Sequence, residues 1–128
     1  MRETTVLLVE DNSLLRRWIS TSLEAHGFRV MAPDSVTEAL RLATIYPFDV
    51  VVTDWRLPNG YDGFEVLAHV RKNLPQVLSV LISADFDTQL AERARAAGFN
   101  TVLQKPFPPW KISDAIYSLL EASHVGAA

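Results

Sequence analysis

Cysteine is absent from the 128 residues, which excludes disulfides and thiolate zinc sites. A reducing compartment is compatible with that absence. No block of basic residues occurs and the net charge is only -3, so an electrostatic footprint for nucleic acid is missing. The apolar run after Met1-Arg2-Glu3 is too short for a signal-peptide core or a membrane span. Repeats, low-complexity segments and internal linkers are also lacking. What remains is the profile of one globular domain, 48% hydrophobic, long enough to bury a core without metal or disulfide staples. The default expectation is a soluble, cytoplasmic protein with no membrane contact and no DNA-binding element beside the domain.

Short apolar runs alternate with amphipathic stretches. Val6-Leu7-Leu8-Val9 reads as a strand. From Leu15 the period becomes helical, with Leu15, Trp18, Ile19 and Ser22 on one face and Gly27 closing the helix. Phe28 to Ala32 is a strand whose polar Arg29 suggests a sheet edge. Ser35-Val36-Thr37-Glu38 is a capping-box pattern opening a helix with Val36, Ala39, Leu40 and Ala43 inward. Val50-Val51-Val52 shows no polar alternation, as expected of a strand covered on both faces. A Pro58-Asn59-Gly60 loop precedes a helix from about Gly63 to Asn73. Val77 to Ile82 is a fourth strand. Asp87 caps a helix presenting Leu90, Ala94 and Ala97 and ending at Gly98, and Thr101 to Gln104 is a fifth strand. A last helix begins near Pro108 or Pro109 and carries Ile112, Ala115, Ile116, Leu119 and Leu120. The expected domain covers residues 1–123, with 124–128 as a frayed tail. Five strand-then-helix units predict an α/β fold, a parallel sheet with helices on both faces.

Polar residues punctuate the carboxyl ends of four of these strands: Glu10 and Asp11, Asp54, Ser83, and Lys105. Parallel strands bring such ends to one edge of the sheet, where ligands bind in folds of this kind. Each residue alone has a plainer reading. Glu10-Asp11 can cap a helix, Asp54 can make a turn, Ser83 can cap, and Lys105 can be a solvated charge. Together they pose a charge problem. Two unit charges 4 Å apart repel by roughly 4 kcal/mol at an effective dielectric near 20, and one lysine cannot neutralise three carboxylates. Either a carboxyl is protonated or a cation is bound. An all-oxygen site with open positions suits magnesium. An aspartate beside magnesium, an ammonium and a hydroxyl is placed to become an acyl phosphate.

Five segments, in order and spacing, carry a resemblance: LLVEDN, VVTDWRLP, DGFEVL, LISA and LQKPF. On these the chain resembles the response-regulator receiver family over nearly its full length. The resemblance implies a doubly wound, flavodoxin-like five-stranded sheet of order 2-1-3-4-5 with five helices, the order given for this fold type. It implies that a histidine kinase or histidine phosphotransfer protein phosphorylates Asp54. Asp11 and Asp54 would ligate Mg2+ directly, Glu10 would assist through water, and the Arg56 carbonyl would add an oxygen. Ser83 and Lys105 would hold the phosphoryl group, and the Lys105-Pro106 peptide would be cis. Such a domain is a signalling switch rather than an enzyme acting on other substrates. It is expected as a monomer or weak dimer, standing alone or cut from a larger chain.

Three features depart from the commonest family pattern. Asp54 and Asp62-Gly63 are one residue further apart, so the Asn59-Gly60-Tyr61 loop must bulge; receivers with a DxRLP start, many of them in hybrid kinases, often share this. Arg56 places a large cation two residues past the acceptor, and an ion pair with Asp85 is expected there. Val102 replaces the aromatic of many members. His26, His69 and His124 form no evident metal set. Rival readings are a haloacid-dehalogenase-type phosphatase, a protein-interaction module that is never phosphorylated, and a flavin carrier. The first needs an aspartate where Arg56 stands, and the last needs a serine/threonine-rich phosphate loop after the first strand.

Overall fold

The computed structural model describes residues 3–85 and 87–127, of which 124–127 are described by backbone alone. Five strands and five helices alternate: β1 (Thr5–Val9), α1 (Ser13–Ala25), β2 (Arg29–Met31), α2 (Val36–Leu42), β3 (Val50–Asp54), α3 (Gly63–Asn73), β4 (Leu78–Ser83), α4 (Thr88–Ala97), β5 (Thr101–Gln104) and α5 (Trp110–Ala127). The strands form one parallel sheet, as the sequence pattern implies, in the order β2-β1-β3-β4-β5, as the family resemblance implies. β2 lies at an edge, in keeping with its exposed Arg29. β3 is central and every one of its residues is buried, which is why its apolar run shows no alternation.

Alternate residues of each strand feed two cores. Leu7, Val9, Val51 and Leu81 pack beneath α2, α3 and α4 with Val36, Ala39, Val66, Leu67, Val70, Leu90 and Ala94. Leu8, Val50, Val52, Val80 and Ile82 pack beneath α1 and α5 with Ile19, Leu23, Ile112 and Ile116. Full burial of one such side chain stabilises by about 1.5–3 kcal/mol. The sheet is thereby a fixed platform, and its carboxyl edge inherits that rigidity.

Helix starts follow local chemistry. The side chains of Asn12, Ser35, Asp62 and Asp87 each accept a hydrogen bond from a main-chain N–H of the first turn that follows, satisfying otherwise orphaned donors. The capping box at α2 is half formed. Ser35 Oγ accepts from Glu38 N–H at 3.1 Å, but the Glu38 carboxylate pairs forward with Arg41 at 2.6 Å rather than back to the cap.

Several expectations need correction. Trp18 is not on the inward face of α1; it is 61% exposed, and Leu23 takes the place in the core. Ile19 and Leu23 are the buried residues of the helix, Leu15 and Ser22 are half-buried beside them, and Trp18 falls outside that stripe. Ala97 is exposed although Leu90 and Ala94 are buried. The backbone of the segment read as a tail continues α5 as far as Ala127, while the His124 side chain and Ala128 lie outside the described residues.

Candidate functional site

The register of the sheet assembles the site. β1 and β3 pair through Val9↔Thr53, and β3 and β4 pair through Asp54↔Ile82. Glu10 and Asp11 therefore leave β1 beside Asp54, and Ser83 follows one residue beyond the Asp54 level. β5 brings Lys105 in behind Ser83, and Lys105 N–H donates to the Ser83 carbonyl at 2.7 Å. The Lys105-Pro106 peptide is cis.

Among the described residues, Glu10, Asp11 and Asp54 offer carboxylate oxygens all within 4.8 Å of one another. Glu10 and Asp54 are buried, 3% and 6% exposed, whereas Asp11 is open to solvent. Lys105 Nζ reaches between the buried pair, 2.8 Å from Glu10 Oε1 and 3.0 Å from Asp54 Oδ1. Glu10 Oε2 accepts from Asn12 N–H at 3.1 Å.

The charge imbalance shows in the proton affinities. Burial first, then the hydrogen bond and charge of Glu10, push the Asp54 carboxyl up to about 8 against the opposing pull of Lys105. Burial also works to raise Glu10, but hydrogen bonds with Asp54, Lys105 and Asn12 outweigh it and hold Glu10 below the usual carboxylate range. Burial works to lower Lys105, and its two carboxylate partners more than reverse that. The protein alone thus favours a proton on Asp54. A buried acidic excess, made only of oxygen donors and open on the Asp11 side, suits a hard divalent cation.

Ser83 and Arg56 stand differently. The Ser83 hydroxyl accepts from Asp85 N–H at 3.0 Å, within its own loop. Arg56 forms an antiparallel bridge with Asp62, flanked by Gly63 N–H donating to Trp55 O at 2.7 Å and Leu57 N–H donating to Tyr61 O at 3.2 Å. In that pattern the Arg56 carbonyl points away from Asp62. The loop bulges as its length requires. Tyr61 N–H donates to Pro58 O at 3.3 Å, and Asn59 and Gly60 have φ of 61° and 79°. Positive φ at both central residues is the type I′ arrangement, for which Asn-Gly is suited. Gly63 is needed for a different reason, since a Cβ there would lie 2.6 Å from the Asp54 carbonyl oxygen.

The expected Arg56–Asp85 pair is present, with Nε 2.7 Å from Oδ2. It joins the loops after β3 and β4. The Arg56 guanidinium also lies 4.4 Å from the centre of the Trp55 ring. Two further residues escaped the sequence reading. Arg93 of α4 reaches over Trp55 and Phe64, at 5.8 and 5.3 Å, a contact that depends on where α4 packs. Arg16 Nη1 donates to the Glu10 carbonyl at 2.9 Å; its position within the first turns of the helix after Glu10 was the available signal. Among the described residues, no helix is long and apolar enough to cross a membrane.

A family model described as the response regulator receiver domain matches residues 6–117. The chemotaxis protein CheY of Pseudomonas aeruginosa is 38% identical over 122 residues, covering 91% of this chain and 95% of that protein. The C4-dicarboxylate transport regulator DctD of the same species is 34% identical, with 93% of this chain covered. The chain spans only 26% of DctD, 25% of the hydrogenase regulator HoxA of Cupriavidus necator and 45% of KdpE of Escherichia coli. Among solved structures, Vibrio cholerae CheY4 superposes with a TM-score of 0.84 at 25% identity, covering 91% of this chain and 98% of that one. A receiver domain protein of Methanospirillum hungatei gives 0.88 at 20% identity, with 98% and 99% covered, and speaks for the fold. With sheet order, acidic cluster and family match in agreement, the chain belongs to the response regulator receiver family of two-component signalling.

Proposed function

We propose that this receiver accepts a phosphoryl group on Asp54 from a phosphohistidine, carried by a histidine kinase or a histidine phosphotransfer protein, and that Mg2+ is required. The observation that carries the reading is the lysine-bridged carboxylate cluster: Lys105 within 3.0 Å of Asp54 and 2.8 Å of Glu10, with Asp11 open beside them. An Asp54 oxygen attacks phosphorus, and the bond from phosphorus to the donor's imidazole nitrogen breaks. The ring nitrogen keeps the electron pair, and the product is an acyl phosphate. Hydrolysis by water later returns the carboxylate and inorganic phosphate.

Magnesium, when bound, supplies charge neutralisation on the transferring oxygens. Asp11 and Asp54 would hold it directly, Glu10 would assist through water, and the Arg56 carbonyl would complete the oxygen set. Lys105, now paired with Asp54, would pair with a phosphoryl oxygen once Asp54 is phosphorylated. The Ser83 hydroxyl only accepts from Asp85 N–H, so its own proton is available to donate to that group. Donation from Ser83 would draw the start of the loop after β4 toward Asp54, and that movement would alter the surface offered to partner proteins.

The test is mass measurement of the intact protein after incubation with acetyl phosphate, with magnesium or with chelator. A gain of one phosphoryl group in magnesium, absent in chelator and absent in Asp54→Asn, is expected. Labelling of Asp54→Asn at full extent would reject Asp54. A module that is never phosphorylated would show no gain under any condition.

A further inference from the structure

The corner between β1 and α1 is held more tightly than a loop requires. Glu10 is 3% exposed and lies just beyond the last residue of β1. Its carbonyl takes the Arg16 guanidinium at 2.9 Å, and its carboxylate takes Asn12 N–H at 3.1 Å. Asn12 in turn caps α1 by accepting from Leu15 N–H at 2.9 Å, and Arg16 N–H returns to the Asn12 carbonyl at 2.8 Å. The Glu10 carbonyl belongs to the peptide whose nitrogen is that of Asp11. Arg16 thus fixes the plane from which the Asp11 side chain departs. Asp11 is the exposed member of the acidic group, and no hydrogen bond or ion pair to its carboxylate is seen among the described residues. Its aim depends on its backbone.

We infer that Arg16 is a positioning residue of the cation site, acting through the Glu10 carbonyl on the direction of Asp11. The inference rests on the reading that Glu10, Asp11 and Asp54 take magnesium. It has a sign that separates it from simpler accounts. Arg16 is itself a cation on a short tether from three carboxylates. If it acted only through its charge, removing it would relieve repulsion and tighten magnesium binding. If it served only to anchor α1, its loss would lower the melting temperature and leave the affinity of the folded protein unchanged. Loss of positioning weakens binding in spite of the charge relief, because Asp11 must then be ordered at the moment of binding. Groups that orient metal ligands from behind are worth 10- to 100-fold in affinity.

Calorimetric titration with Mg2+ and with Mn2+ decides the matter, on the wild type, Arg16→Ala, Arg16→Lys, Arg17→Ala and Asp11→Ala. Arg16→Ala is expected to weaken binding by about 10-fold, Arg16→Lys to recover part of that, and Arg17→Ala, an exposed neighbour, to match the wild type. In an Asp11→Ala background, Arg16→Ala is expected to add no further loss. Should Arg16→Ala fail to fold, Arg16→Met, which keeps the aliphatic stem, takes its place. Binding by the neutral variant as tight as, or tighter than, wild type overturns the inference. An equal loss with Asp11 already removed overturns the route through Asp11. A wild type that binds neither ion overturns the cation site itself, and the inference with it.

Discussion

Asp54→Asn should make the metal-free protein less sensitive to pH, and the size of the effect follows from the site. The Asp54 carboxyl moves from 3.8 to about 8 on folding, through burial first and then through Glu10. A group whose pKa is raised by folding holds its proton in the native state and loses it in the unfolded chain. Between those two values the native state binds more protons, so stability falls as pH rises. Four units at about 1.4 kcal/mol each set a ceiling of roughly 6 kcal/mol. Glu10 shifts the opposite way. Its contribution is present above its unfolded pKa and lost as pH falls, and it offsets part of the Asp54 cost. Between pH 6 and 8 the wild type in chelator should therefore lose about 2 kcal/mol, or about 5–10 °C in melting temperature. Asparagine has the shape of the protonated acid and can likewise donate to Glu10, but carries no charge to release. Melting of both proteins by circular dichroism, at pH 6, 7 and 8 in EDTA, checks this. The difference should grow with pH in favour of Asp54→Asn and shrink when magnesium is added to the wild type. Parallel curves for the two proteins would refute the argument.

Three other outcomes follow from particular contacts. The Arg56–Asp85 pair is exposed, with 74% and 47% of the side chains accessible, so Arg56→Ala should cost no more than about 0–1 kcal/mol in stability. It should shorten the lifetime of the acyl phosphate several-fold by opening the loops to water; a lifetime equal to wild type, followed by loss of the phosphoryl mass, would contradict this. Gly63→Ala places a Cβ 2.6 Å from the Asp54 carbonyl oxygen and 2.7 Å from Leu81 Cδ1. It should destabilise by about 1–3 kcal/mol, measured by urea unfolding, and an unchanged midpoint would show that the loop yields freely. Val102 is partly buried against the core beneath α4 and is stiff at its first torsion, so it cannot exchange an aromatic ring between two positions. Amide exchange with beryllofluoride should change mainly in the loops after β3 and β4. Large protection changes across residues 90–98 and 110–120 would show that a full switch works without the ring.

The strand-end residues were legible because their signal is local. Val50 to Val52 without alternation marks a central strand, and Asp54 at its end needs no tertiary knowledge to be noticed. The same holds for the caps at Ser35 and Asp87, where one oxygen three or fewer residues from an orphan N–H suffices, whereas the caps at Asn12 and Asp62 escape the sequence reading, which offers Glu10-Asp11 for the first. Even the Arg56–Asp85 pair could be reached, since each follows its strand end by two residues. Trp18 matches the helical period by its hydrophobicity, but the sheet below α1 accommodates a narrower stripe and leaves Trp18 in solvent. The contacts of Arg93 with Trp55 and Phe64 were out of reach for another reason. They depend on the packing angle of a helix thirty-odd residues further along the chain, and no spacing rule encodes that angle. The half-formed capping box shows the same limit at short range: the motif was present, and Arg41 competed successfully for Glu38.

The most direct test of the account is the site of phosphorylation itself. After incubation with acetyl phosphate and magnesium, borohydride reduction converts an aspartyl phosphate to homoserine, which peptide mass spectrometry locates. The account predicts reduction at residue 54 alone, dependent on magnesium and strongly diminished in Lys105→Ala. Modification at Glu10, Asp11 or any other carboxylate in place of Asp54, or full modification of Asp54 in chelator, would contradict it.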